Sequence, residues 1–122
     1  MKAIKILETY ESLTTLADKD LDLITACNIA KNLQELGTPK QIIEQKRTKL
    51  IQEYSKKDGD GNPIVNEQGG IALENEEELV QKLNELFEND IDVNLIKIKK
   101  SDLGDIKISP KVALGFMDIL ED

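Results

Sequence analysis

The residues that come nearest to a chemical motif are Asp58, Asp60 and Asn62, in the run Asp58-Gly-Asp60-Gly-Asn62. Oxygen-bearing side chains at alternate positions match the first, third and fifth ligands of a helix–loop–helix calcium site, which wraps a hard cation in oxygen. The match then fails. The sixth position of such a loop requires glycine for a sharp turn and here is Pro63, and the twelfth requires a bidentate glutamate and here is Gly69. Asp-Gly and Asn-Pro are ordinary turn dipeptides. The run is therefore expected to be a turn, without a specific calcium site.

Other reactive side chains are scarce. The chain has no histidine, which removes Ser-His and Cys-His nucleophilic sites, histidine-ligated zinc and the commonest general base. A single cysteine, Cys27, precludes an internal disulfide, thiolate zinc and iron–sulfur sites, and fits a reducing compartment. There is no phosphate-binding P-loop and no dinucleotide glycine pattern. Carboxylates are plentiful, but nothing in their order singles out a catalytic pair. No catalytic residue, metal site or cofactor is assigned, and the expectation is a protein that is not an enzyme.

The acids have a pattern of their own. The net charge is −8. Residues 1–57 hold ten Lys/Arg against eight Asp/Glu, whereas residues 58–122 hold six against sixteen. Glu76, Glu77, Glu78, Glu85 and Glu88 fall on or near one helix, and Asp90 and Asp92 continue the run. Such a row could imitate phosphates and speed encounter with a cationic groove. The plainer reading is that these acids cap the helix and keep the protein soluble. Direct nucleic-acid binding is disfavoured, because phosphate neutralisation needs excess Lys/Arg. The basic stripe Lys46, Arg47 and Lys49 lacks interleaved aromatics and reads as a solvated helix face. No apolar run approaches the length of a membrane span, and the N-terminus lacks a signal-peptide core. A cytoplasmic location is expected.

The elements that would carry these residues follow from periodicity. One domain over 1–122 is expected, with aromatics so few that Leu and Ile must build the core. Residues 4–17 read as an amphipathic helix with Leu7, Tyr10, Leu13 and Leu16/Ala17 as its apolar stripe, although Ile4 and Ile6 alternate with lysines as in a short strand. Residues 21–36 read as a second, central helix. Its broad stripe of Leu23, Ile24, Ala26, Cys27, Ile29, Ala30 and Leu33 implies burial on more than one side, with Cys27 as a small core residue. Gly37-Thr38-Pro39 reads as C-cap, N-cap and first turn of a third helix over 39–56, the alternative being one kinked helix. A β-hairpin follows, from 64–65 and 71–73. Asn75 opens a capped helix to about residue 89, with Leu79, Leu83, Leu86 and Phe87 inward. Residues 91–95 alternate as a half-buried strand, with Asp90 and Asp92 on one face. After a turn at 101–105, Ser109-Pro110 caps a last helix, about 110–120, with Ala113, Phe116, Met117 and Leu120 inward. No internal repeat is visible. The class is α+β and predominantly helical: an N-terminal helical hairpin or three-helix unit, then a small hairpin/strand sheet with two further helices.

Several segments together look like a known kind of protein. They are Ile29-Ala-Lys-Asn-Leu33, the run from Lys49 through Tyr54 to Asn62, the helix around Glu77 to Leu86, Ile91-Asp-Val93, the run from Leu103 to Pro110, and the close from Phe116. This order resembles a family of small phage and prophage proteins of Gram-positive bacteria, of uncharacterised function. The resemblance implies a phage context, and hence the cytoplasm of a host cell, but transfers no functional residue. Together with the missing catalytic groups it implies an interaction protein acting on a host or phage protein, such as an inhibitor of host defence or replication. A basic nucleic-acid-handling protein is the concrete partner, and a homo-oligomer is expected as well. The alternative is a structural or assembly accessory of the virion, in head or tail.

Overall fold

The computed structural model describes residues 1–121. In chain order the elements are α1 (Ala3–Ala17), α2 (Leu23–Glu53), α3 (Glu76–Glu88), β1 (Ile98–Lys99), α4 (Lys100–Leu103), α5 (Pro110–Phe116), a 3₁₀ turn (Met117–Ile119) and β2 (Leu120–Glu121). The expected class holds: the fold is predominantly helical α+β. Among the described residues the sheet is one parallel pair, with Ile98 opposite Leu120 and Lys99 opposite Glu121.

The central helix is α1, not the second helix. It packs on α2, α3 and α5, so its buried face is wider than the leucine stripe implied. Ala3, Ile6, Leu13 and Leu16 are buried, and so are Thr9 and Ser12, at 1% and 6% exposure. The two hydroxyl residues are buried because α5 comes very close. Thr9 Oγ1 donates to the Gly115 carbonyl at 2.7 Å. A Cβ at position 115 would overlap Ser12 Oγ and lie 2.6 Å from Ser12 Cβ and 2.9 Å from the Glu8 carbonyl oxygen. Only glycine fits there. Phe116, beside it, is buried in the main apolar cluster.

Gly37-Thr38-Pro39 does not divide α2, which runs unbroken from Leu23 to Glu53 with Pro39 inside. Proline costs a helix interior about 3 kcal/mol, through its missing N–H and its clash with the preceding turn. Burial of Leu36 before it and Ile43 after it supplies the packing that holds the helix together. The start of α2 is set by Asp22, whose side chain accepts from the Thr25 amide at 2.8 Å. The buried line of α2 is Thr25, Ile29, Asn32, Leu36 and Ile43. The expected broad stripe is thus mostly outside: Leu23, Ile24, Ala26, Cys27 and Ala30 are exposed. The reading of Cys27 as a core residue is corrected accordingly. α2 packs on α1, α3 and β1, but none of these covers Leu23, Ile24, Cys27 and Ala30 on its first turns.

The segment between α2 and α3 forms the expected hairpin as isolated pairings, Val65 with Ile71, and adds a third run, in which Ser55 pairs with Leu73 and Lys57 with Pro63. Three amides close a ring: Lys56 to the Ala72 carbonyl, Ile64 to Lys56 and Ala72 to Ile64, at 2.8–2.9 Å. Two turns in this lobe share one build, a local repeat hidden in the sequence. Asp58 Oδ1 accepts from the amides of Asp60 and Asn62. Asn66 Oδ1 accepts from Gln68 and Gly70. Gly61 and Gly69 take φ of 83° and 82°, a region open to glycine.

Asn75 stands at the start of α3 in a left-handed conformation, φ 51°, and its side chain makes no cap hydrogen bond; the expected capping box does not form. In α3 Leu79 is buried, while Leu83, Leu86 and Phe87 are half-buried.

The expected strand at 91–95 is extended but unpaired with any strand. Its inward residues Ile91, Val93 and Leu95 do alternate with exposed Asp92 and Asn94, but side chains of α2 take the place of a strand. Asn32, 1% exposed, donates to the Ile96 carbonyl at 2.9 Å and accepts the Ile96 amide at 2.7 Å. Glu35 Oε1 accepts the Asn94 amide at 3.2 Å. The last helix is also shorter than expected. Ser109 caps it through the Val112 amide, but it ends at Phe116. Met117 is exposed and Leu120 lies in β2, because the chain turns to reach β1.

Candidate functional site

The first turn of α3 carries Glu76, Glu77 and Glu78. With no side chain capping the helix start, the acids face the unpaired amides and the positive end of the helix dipole. That accounts for three of the acids without a partner. It does not account for Glu85 and Glu88, which lie near the C-terminal end, where the dipole disfavours negative charge.

Residues 77, 81, 85 and 88 follow one line along α3. They lie opposite Leu79, Leu83 and Leu86, and all are exposed. The stripe thus presents Glu77 and Glu85 to solvent, with Glu78 beside them. Tyr54 touches its edge: partial burial, then a hydrogen bond to Glu78, raises the phenol above its ordinary range.

The lower end of the stripe is tied up within the chain. Lys2 Nζ donates to Glu88 at 2.6 Å, and this hydrogen bond, with Asp90 adding attraction, raises the lysine. The Met1 ammonium holds Asp90 Oδ1 at 2.7 Å and also donates to the Ile91 carbonyl. That contact lowers the Asp90 carboxyl below the usual range. Asp90 pairs with Lys2 in an isolated antiparallel bridge; Asp90 and Asp92 do share the exposed side of the alternating segment, but that segment joins no strand ladder. Asp92 is exposed on the extended segment beyond. Of the seven acids singled out from the sequence, Glu88 and Asp90 are brought together around two cations. Among the described residues, Glu76, Glu77, Glu78, Glu85 and Asp92 have no cation within ion-pair distance. The partner role of Lys2 had no signal in the sequence, since it rests on a contact between chain segments far apart.

The Asp58 carboxylate is engaged by two backbone amides of its own turn. Among the described residues no three His, Cys, Asp or Glu side chains gather as metal ligands would, and no helix is long and apolar enough to cross a membrane. Between α1 and α5 lies an open cleft of about 260 Å³, lined by Glu8, Glu11, Ser12, Thr15 and Lys111 among others. It is smaller than most sites for drug-sized ligands. In comparisons with known proteins, the chain matches no family model, no curated protein and no solved structure.

Proposed function

We propose that this chain is a non-enzymatic, phage-type binding protein that docks on a basic groove of a host or phage protein, by way of the outward face of α3. One observation carries the reading: Glu77 and Glu85 stand exposed along the side of α3 turned away from the core, and among the described residues neither has a cation within ion-pair distance. A groove that normally grips nucleic acid is the matching partner chemistry, since a row of carboxylates offers it the same charge. The phage setting, and action in the host cytoplasm, come from the resemblance of the segments named above.

The test begins with affinity capture from a bacterial host lysate, followed by binding kinetics with the captured partner. Glu77→Lys combined with Glu85→Lys should lower the association rate roughly tenfold or more at low ionic strength. Added salt should reproduce that loss in the parent. Equal rates for parent and double variant at low salt would sink the reading. Glu88 is left unchanged because its reversal would also strand Lys2.

A second reading, a virion head or tail accessory, is supported by the apolar residues that α2 leaves uncovered. Mass spectrometry of purified particles separates the two.

A further inference from the structure

We infer that the start of α2 is a self-association surface, on which a second copy of this chain packs antiparallel about a two-fold axis near Cys27. Leu23 and Ile24 are 78% and 74% exposed, on a helix whose opposite side is buried. Cys27 and Ala30 continue the outward line and are exposed too. A uniform apolar face would fit many occupants, but the charges at its two ends are unequal. Asp20 and Asp22 precede it and outnumber the one lysine beside them, Lys19, and Asp102 edges the same hollow as Leu23 and Ile24. Lys31 closes the other end, exposed and without a carboxylate in ion-pair range among the described residues, with Glu35 one turn beyond it and bonded to the Asn94 amide.

That polarity makes the surface complementary to itself in one orientation. Antiparallel pairing sets Lys31 of each copy over the acidic end of the other, and lays its aliphatic stem across Leu23. Parallel pairing would set acid on acid and Lys31 on Lys31, which like-charge repulsion disfavours. The residues at the crossing, Cys27 and Ala30, are small, so the two axes can approach to the low end of the usual ~8–10 Å. The face lies on another helix than the acidic stripe, so this inference stands independently of the docking role proposed for α3. The contact is short, and association should be weak and concentration-dependent.

Sedimentation velocity of the full, reduced chain from low micromolar to about millimolar should show a monomer–dimer equilibrium, since micromolar to millimolar constants are the weak end of specific association. Leu23→Glu with Ile24→Glu should raise the dimerisation midpoint at least ~10-fold, about 1.4 kcal/mol, with an unchanged circular dichroism spectrum. Lys31→Asp and Asp20→Lys should each weaken the dimer, and together should restore it to within roughly threefold of the parent. That swap keeps the inference testable even if the double glutamate variant folds poorly. A short bis-maleimide should join Cys27 to Cys27 in the dimer. A chain monomeric throughout would overturn the inference, including one whose α2 face binds a different protein. So would a dimer indifferent to the glutamates, one that leaves Cys27 uncoupled, or a charge swap that fails to restore association.

Discussion

α1 and α2 carry residues on the wrong sides of each other's expectations. α1 buries Thr9 and Ser12, while α2 exposes Leu23 and Ile24. Side-chain polarity does not order the two stretches; what packs against each does. α1 has α2, α3 and α5 around it, whereas in the first two turns of α2 only Thr25 and Ile29 are buried. A hydroxyl can enter a crowded seam when a carbonyl meets it, and an isoleucine stays wet when nothing arrives to cover it.

The comparison can be broken hardest from the crowded side. Phe116→Ala should destabilise by about 3–5 kcal/mol in urea unfolding, as expected for emptying a buried aromatic site. A loss below about 1 kcal/mol would mean that α5 is not part of the cooperative core. Gly115→Ala should cost about 1–3 kcal/mol by overpacking. Adding Ser12→Ala should not rescue it, because Ser12 Cβ and the Glu8 carbonyl still stand within 3 Å of the new methyl. Full rescue would show that the seam between α1 and α5 is looser than its geometry.

On the inner side of α2 the sensitive residue is polar. Asn32→Ala leaves both the amide and the carbonyl of Ile96 without their side-chain partner. The expected loss is about 1–3 kcal/mol, with faster hydrogen exchange at residue 96 as its local signature.

Much of this was open to sequence reading, and the failures share a cause. α1 and α3 follow from apolar spacing, and the turn at 58–62 from Asp, Gly and Asn. What periodicity cannot weigh is a contact between distant segments. Pro39 looks like a boundary until burial of Leu36 and Ile43 outweighs it. Residues 91–95 alternate like a strand, but nothing local says that Asn32 and Glu35 will serve as the partner. Gly115 carries no sign that α1 will press against it. For the acidic site, exposure of Glu77 and Glu85 was legible from their spacing against the leucines. The pairing of Glu88 and Asp90 with Lys2 and the amino terminus was not, because some ninety residues separate the partners.

A smaller effect belongs to the start of α2. The amide of Thr25, bonded to Asp22, lowers that carboxyl below its ordinary 3.8. A lowered carboxylate stabilises the fold at pH above its unfolded value, and the contribution fades as pH falls through the folded value. Asp22→Ala should therefore lower the thermal midpoint at pH 7. The gap from the parent should narrow below about pH 4, where the carboxylate is protonated even in the unfolded chain. A gap independent of pH would mean that the cap acts through something other than its charge.

The smallest effect is the most informative about the exposed side. Ile24→Gln removes a large apolar group from water and puts a good helix former in its place. In dilute protein its unfolding free energy should stay within about 0.5 kcal/mol of the parent, as for a surface change with no packed neighbour. Phe116→Ala removes apolar volume too, so the difference between the two variants measures neighbours and not hydrophobicity. Concentration adds the sharper reading. A folded dimer stabilises its subunits by mass action, so the thermal midpoint of the parent should rise as protein is added. The midpoint of Ile24→Gln should rise less, because the residue that profits from the second copy is gone. If both midpoints stay flat across a hundredfold range of concentration, Ile24 is simply wet, and the contrast between α1 and α2 is complete within one chain. If Ile24→Gln costs several kcal/mol in dilute solution, the residue is covered by its own chain, and the contrast itself is wrong.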